Sequence, residues 1–224
     1  MQENLKVGSN FLQGRDVEIG NDVVIGDNVT VGNDVWIGNN VTLGDGVTIR
    51  HDCSLGRNVI IYDNVRIGLG VQLADSVVIG RGSALLDGVK LGVGARVGGC
   101  TIIQSGVSLS EKVSLGDHVF LGAFVKIGDF SVIGNGVIID HHIEIGRQAT
   151  VGPFAIDVVD GGFFEGYRKT FAQVNGVCYI GAGCRWFTLA EARRHWDGIF
   201  DRRMSLAWLS FVSDIAKQRE WRDE

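Results

Sequence analysis

Two short runs of this sequence set imidazoles beside carboxylates, a pairing that proton transfer often uses: Arg50-His51-Asp52-Cys53 and Asp140-His141-His142-Ile143-Glu144. A neutral imidazole takes up a proton near working pH, so His51 and His141 are candidate general bases. Asp52 either orients the His51 ring or is a plain turn residue. Arg50, Arg66 and Arg96 suit phosphate oxygens, which a guanidinium grips in a fork, or else are solvated surface charges. The remaining histidines do not complete a metal-binding cluster. His118 lies 23 and 24 residues before His141 and His142 and falls on a different corner, so no metal is expected. His195 reads as a surface residue.

An array that repeats every six residues must position these side chains. Ile, Leu or Val recurs from Ile19, Ile25 and Val31 to Ile145 and Val151. A second small or β-branched residue stands two positions earlier, from Val17 to Ala149, and Gly usually follows. The unit reads V-x-I-G-x-x, a period that fits neither a helix nor a simple strand. Residues two apart share one face of a strand, and the Gly and polar pair that follow are turn residues. Each hexad is therefore one short strand and one corner. None can bury its aliphatic pair alone, so the units must wind and stack. Three hexads per turn put 18 residues in each coil and ~8 coils in a stack of roughly 38 Å.

Sorting the array by 18 places the candidate residues. One corner column reads Gly32, Arg50, Gly68, Leu86, Gln104, Gly122 and Asp140, and four of its seven positions have given up Gly. The other two corner columns keep Gly except at Tyr62, Ala74 and Ser110. Giving up the turn residue has a conformational cost, so the irregular edge is the expected functional one, with Arg50, Arg66 and Gln104 as ligand-holding residues. His51 and His141 share this edge five coils apart, roughly 24 Å, too far for one reaction centre. Either is the base, or both line one long groove. Two outward columns are partly apolar, through Val24, Ile60, Val78 and Val132 and through Ile102, Phe120 and Ile138. Stripes of that kind on a prism predict a subunit interface rather than β propensity alone.

The tandem V-x-I-G-x-x units resemble the hexapeptide-repeat, left-handed parallel β-helix proteins, most of which are acyltransferases. The resemblance covers about two-thirds of the chain. It implies an all-β solenoid, and its left hand comes from the family, since the usual crossover rule gives the other hand. His51-Asp52-Cys53-Ser54-Leu55-Gly56 resembles the H-D-C-x-x-G segment of these enzymes, whose His is a general base. Asp140-His141 is similar to an acid–His pair of some sugar acyltransferases. The family further implies a homotrimer, a coenzyme A thioester (or acyl carrier protein) as donor, and a sugar or nucleotide-sugar as acceptor in an inter-subunit cleft. The extruded loops of many family enzymes are missing here, since the register runs unbroken from Val17 to Pro153.

The expected division is a β-helix over 1–153 and a small α+β cap over 154–224. In the cap, Tyr167–Val174, Asn175-Gly176 and Val177–Ile180 read as a hairpin with a type I′ turn. Thr188-Leu-Ala-Glu191 is a capping box that opens a helix through about Trp196. Ser205 is placed to cap a second helix with an apolar stripe of Leu206, Leu209, Val212 and Ile215. The cap should cover the open edge of the last coil.

Composition narrows the class of function. A net charge of −5 argues against a general nucleic-acid binder. Met1 to Asn10 has no signal-peptide core and no run reaches membrane-spanning length, so the cytoplasm is the default setting. Cys53 reads as an inward filler and Cys100 as a corner residue. Cys178 and Cys184 lie six apart, without zinc spacing, so all four are expected as free thiols. The leading expectation is an acyltransferase. The alternative is a non-catalytic rod that binds a small anionic ligand or serves a structural role. It is favoured by the missing loops. The segment YIGAGCRWFT resembles tails of hexapeptide arrays in bacterial and prophage-encoded proteins of unassigned function.

Overall fold

A computed structural model of the chain describes residues 4–164, 167–182, 185–197, 199 and 203–222. Two-residue strands recur at every hexad from Lys6–Val7 to Thr150–Val151. Each pairs in parallel with the strands 18 residues before and after it, as in Val24↔Thr42 and Ile60↔Val78. The strands stack into three parallel sheets of nine, eight and eight members, forming a three-sided solenoid of about eight turns. We call its sides the first face (Val24, Ile60, Val132), the second (Thr48, Arg66, Ile102) and the third (Trp36, Lys126, Glu144), in chain order.

Sequence period explains the geometry. The aliphatic pair of each hexad points inward, and residues such as Val29, Ile61, Ile103 and Leu121 are fully buried in one continuous core. Backbone bonds between coils run along the stack, for example from Val24 N–H to Val41 C=O at 2.9 Å. A few inward positions carry hydroxyls, and these are satisfied. Ser83 Oγ donates to Gly98 C=O and accepts from Thr101 N–H, while Thr101 Oγ1 donates to Gly116 C=O and accepts from Val119 N–H. Cys53 is buried in an inward slot with its thiol against Gly68 C=O, and burial pushes that thiol up from its ordinary value.

The corners are held by a second ladder that the hexad pattern does not announce. Where the residue after the corner is Asp or Asn, its Oδ1 accepts the amide N–H of the residue 18 before it. Ser9 donates to Asp27, Asn21 to Asn39 and Gly99 to Asp117, at 2.6–2.9 Å. The Ser9 amide and hydroxyl together hold the Asp27 carboxyl below its usual value. The next residue has positive φ, from Asn28 (57°) to Gln148 (59°), where Asn, Asp and Gly are the easy occupants.

Beyond the last coil, four antiparallel strands form a sheet: Ile156–Phe164, Tyr167–Val174, Val177–Ala182 and Arg185–Thr188. The expected hairpin is its centre, with Asn175 and Gly176 at φ 50° and 80° as a type I′ turn requires. The two flanking strands were not expected. One face of the sheet, through Val158, Ala172, Val174 and Trp186, packs onto the core of the last coil. The other face, through Phe171, Cys178 and Ile180, meets helices α1 (Leu189–Asp197) and α2 (Arg203–Gln218). Leu209 and Val212 of the predicted stripe are buried there. Cys184 lies outside the described residues.

The capping box forms as read. Glu191 N–H donates to Thr188 Oγ1 at 3.2 Å, and Thr188 N–H donates to the Glu191 carboxylate at 2.8 Å. Thr188→Ala should cost about 1 kcal/mol in chemical denaturation, with α1 the first element to lose amide protection. The second cap differs from expectation. Helix α2 already begins at Arg203, so Ser205 is a buried residue of its first turn rather than its cap.

Candidate functional site

The corner between the second and third faces carries the irregular column, and two concavities flank it. On the second-face side a groove of about 370 Å³ is lined by Thr48, Arg50, Arg66, Gly68, Leu86 and Asp87, among others. Its polar wall is two guanidiniums and one carboxylate, and its apolar wall is Ala84 and Leu86. Arg50 lies 3.7 Å from Asp87, an exposed and weak pair. The Asp87 Oδ1 also accepts Leu69 N–H at 2.8 Å. Arg66 has no anionic partner among the described residues and projects from the strand between Thr48 and Ala84. An anionic group entering this groove would meet more positive than negative charge.

On the third-face side, near the end of the solenoid, a concavity of about 280 Å³ is lined by Phe124, Lys126, His142, Ile143 and Glu144. The His142 ring stacks on Phe124 at 5.1 Å between centroids and 13° between planes. Lys126 and Glu144 approach to 3.8 Å at its rim.

The expected residues fall as follows. Arg50 and Arg66 share the groove, and Gln104 is half-buried one coil past Leu86 on the same corner. His51 is exposed beside Arg50, and its Nδ1 accepts the Asn33 amide at 2.8 Å. His141 is exposed five coils on, and its Nδ1 accepts the Ala123 amide at the same distance. Asp52 is exposed at φ 61°, a conformation that its column shares, and makes no side-chain bond to His51 among the described residues. His118 occupies the same kind of positive-φ slot on another corner. No cluster of three metal-ligating side chains occurs among the described residues.

Sequence reasoning set His142 in a candidate run but gave the role of base to His141, and it missed the corner aromatics. Phe124, Phe130 and Phe154 adopt φ of 57–60° with rings about half exposed, a costly conformation for a bulky residue. Phe124 and Phe154 lie across Gly106 and Gly136 of the preceding coil, where a Cβ would strike the ring. Phe130 instead takes the Lys112 ammonium at 5.2 Å over its face. Sorting that slot by 18 would have exposed these residues among the Asn, Asp and Gly that usually fill it.

The sequence profile of the bacterial transferase hexapeptide (six repeats) family matches residues 16–51 and 34–69. No curated protein matches the chain by sequence. Among solved structures, the chain is similar to the UDP-N-acetylglucosamine acyltransferase of Francisella novicida, with 22% identity and a TM-score of 0.53. That match covers 70% of this chain and 65% of the enzyme's own length, slightly under two-thirds of it. A second UDP-N-acetylglucosamine acyltransferase matches over 95% of this chain and 83% of its own, with 19% identity and a TM-score of 0.52. At these identities the likeness speaks for the fold. No helix among the described residues is long and apolar enough to cross a membrane.

Proposed function

We propose that this chain, a member of the hexapeptide-repeat superfamily of β-helix proteins, is an acyltransferase that moves an acyl group from a coenzyme A thioester to a sugar or nucleotide-sugar. The observation that carries the reading is the groove beside the irregular corner, where Arg50 and Arg66 face an apolar wall of Ala84 and Leu86. Guanidiniums suit the phosphates of such a donor, the apolar wall suits its uncharged arm, and Gln104 extends the contact along the edge. A fold shared with enzymes that acylate a nucleotide-sugar adds to this.

In the reaction the acceptor's hydroxyl or amine attacks the thioester carbonyl and gives up its proton. The carbonyl oxygen carries the developing negative charge. Collapse breaks the C–S bond, so an ester or amide forms and coenzyme A leaves as the thiol. His51, with Asp52 beside it, and His141 stand at two points of the edge as groups that meet the reacting carbonyl or the acceptor. A homotrimer is part of the reading, with Val24 and Val132 of the first face and Ile102 and Ile138 of the second, each 40–49% exposed, buried between prisms. So are a cytoplasmic setting, which suits the free thiols of Cys53, Cys100 and Cys178, and the division at 153/154.

The test is thiol release from acetyl-coenzyme A with a panel of nucleotide-sugars, beside direct titration of the donor. Arg66→Ala should weaken donor binding about tenfold or more, because a hydrogen bond to a charged group is worth ~1.5–3 kcal/mol. A native chain that neither binds the donor nor releases thiol with any acceptor would sink the reading. The alternative, a rod that holds a small anion in the same groove without altering it, would then stand. The uninterrupted coil favours that second reading.

A further inference from the structure

We infer that the corner ladder holds His51 and His141 as Nε2–H tautomers, so that both meet a ligand as hydrogen-bond donors to an acceptor oxygen, and that His142 is the edge imidazole free to take up a proton. The tautomers follow from the fold alone, whereas the catalytic roles rest on the acyl-transfer reading.

In coil after coil an Asp or Asn oxygen accepts an amide proton from the coil before, as Asn33 does from Arg15 and Asp45 from Asp27. The Oδ1 of an Asn or of an ionised Asp can only accept. At positions 51 and 141 the imidazole Nδ1 takes that oxygen's place at an equal distance, 2.8 Å from the amides of Asn33 and Ala123. An amide N–H brings its own proton, so the Nδ1 it meets must be bare. A neutral imidazole then carries its single proton on Nε2. Turning either ring over would set a C–H against the amide and leave that donor unanswered, so the ladder fixes the orientation.

The consequence reverses the expected chemistry of these two residues. A base must offer a lone pair, and the only one on each ring is engaged by backbone. What each presents outward is an N–H. That group suits an oxygen gaining negative charge, such as a thioester carbonyl under attack, as a neutral imidazole electrophile does.

His142 differs in each of these respects. It occupies the positive-φ slot rather than the ladder slot, with φ 60°. Its ring is held by stacking on Phe124, which fixes the plane and leaves the nitrogens at the ring edge. It lines the concavity with Lys126 and Glu144. One residue pins the neighbouring pair. Ala123 N–H holds the His141 ring, and Ala123 C=O accepts the His142 amide at 2.9 Å. A fixed donor and a free acceptor thus stand on consecutive residues.

The decisive measurement is a long-range imidazole correlation spectrum of the full ¹⁵N-labelled chain near neutral pH, with the rings assigned by His51→Asp, His141→Asp and His142→Ala. Protonated Nε2 and bare Nδ1 are expected at 51 and 141, with mixed tautomers at 142. A protonated Nδ1 at either ladder ring overturns the inference whatever the activity. In thiol release, His142→Ala should lower kcat about a hundredfold or more with an unchanged circular dichroism spectrum. His141→Asp keeps the ladder acceptor but replaces the donor, so it should melt like the native chain and lose roughly tenfold or more in kcat. Native kcat in His142→Ala removes the assignment of the base. If the tautomers are as expected but the native chain releases no thiol, the acyl-transfer reading and the role of His142 fall together, and the two donors remain.

Discussion

Leu121→Ala is expected to cost about 2–5 kcal/mol, measured by urea denaturation followed by circular dichroism. Leu121 is fully buried in the core and paired in register with Ile103 in the coil before and Ile139 in the coil after. Removing its isopropyl group leaves a cavity that the walls cannot close, because three hydrogen-bonded sheets hold the coils at β spacing. The distribution of the damage is as informative as its size. In a stack each coil touches only its neighbours, so the lesion should act locally. Hydrogen exchange should quicken most at the coils of Ile103, Leu121 and Ile139 and little at those of Ile25 and Leu43. Uniform loss of protection along the stack would argue against nearest-neighbour coupling. Ile103→Val, which removes one methyl group, should cost only about 0.5–1.5 kcal/mol in the same assay.

A chain ended after Pro153 is expected to self-associate. The cap sheet covers the last coil through Val158, Ala172, Val174 and Trp186, packed against the core that includes Ala149 and Val151. It also answers polar groups of that coil. Thr170 Oγ1 donates to Thr150 C=O at 2.9 Å, and the Asp160 carboxylate accepts Gly146 N–H at 2.9 Å. Without the sheet, three parallel edges and an apolar core end would face water together, which is the usual template for strand-to-strand addition. Light scattering should show species that grow with concentration, while the full chain stays at one mass. A truncated chain of constant mass would mean that the coil end protects itself and that the cap has another purpose.

The solenoid was legible in the sequence because its period leaves no other solution. Every inward pair from Val23/Ile25 to Ala149/Val151 was readable from spacing, and so were the three outward columns. The hairpin and the first helix were legible for local reasons, Asn175-Gly176 and Thr188/Glu191. The strand Ile156–Phe164 was not, because Gly161-Gly162 interrupts any alternation and its register shifts twice against its partner. Arg185–Thr188 is four residues long, too short for a pattern. The start of α2 was misplaced because Ser205 is a good cap by type, while burial uses it inside the helix. At the edge, lost glycines singled out Arg50 and Gln104, whereas Arg66, on a second-face strand, was named for its charge alone, and the groove between the two arginines was not foreseen. Nor were the hydrogen bonds of His51 and His141, because their column (Arg15, Asn33, His51, Leu69, Asp87, Ser105, Ala123, His141) holds Asp or Asn only at Asn33 and Asp87 and so announces no ladder.

The unbroken register has a geometric consequence. With no loop to absorb a change, the distance between the Arg50/Arg66 groove and the His141/His142 pair cannot be tuned smoothly. It changes only by gaining or losing a whole 18-residue rung, a step of ~4.8 Å that returns each side chain to its own column. The prism is in this sense a molecular caliper with fixed notches, and the length of any extended ligand that touches both places is written in the number of rungs between them.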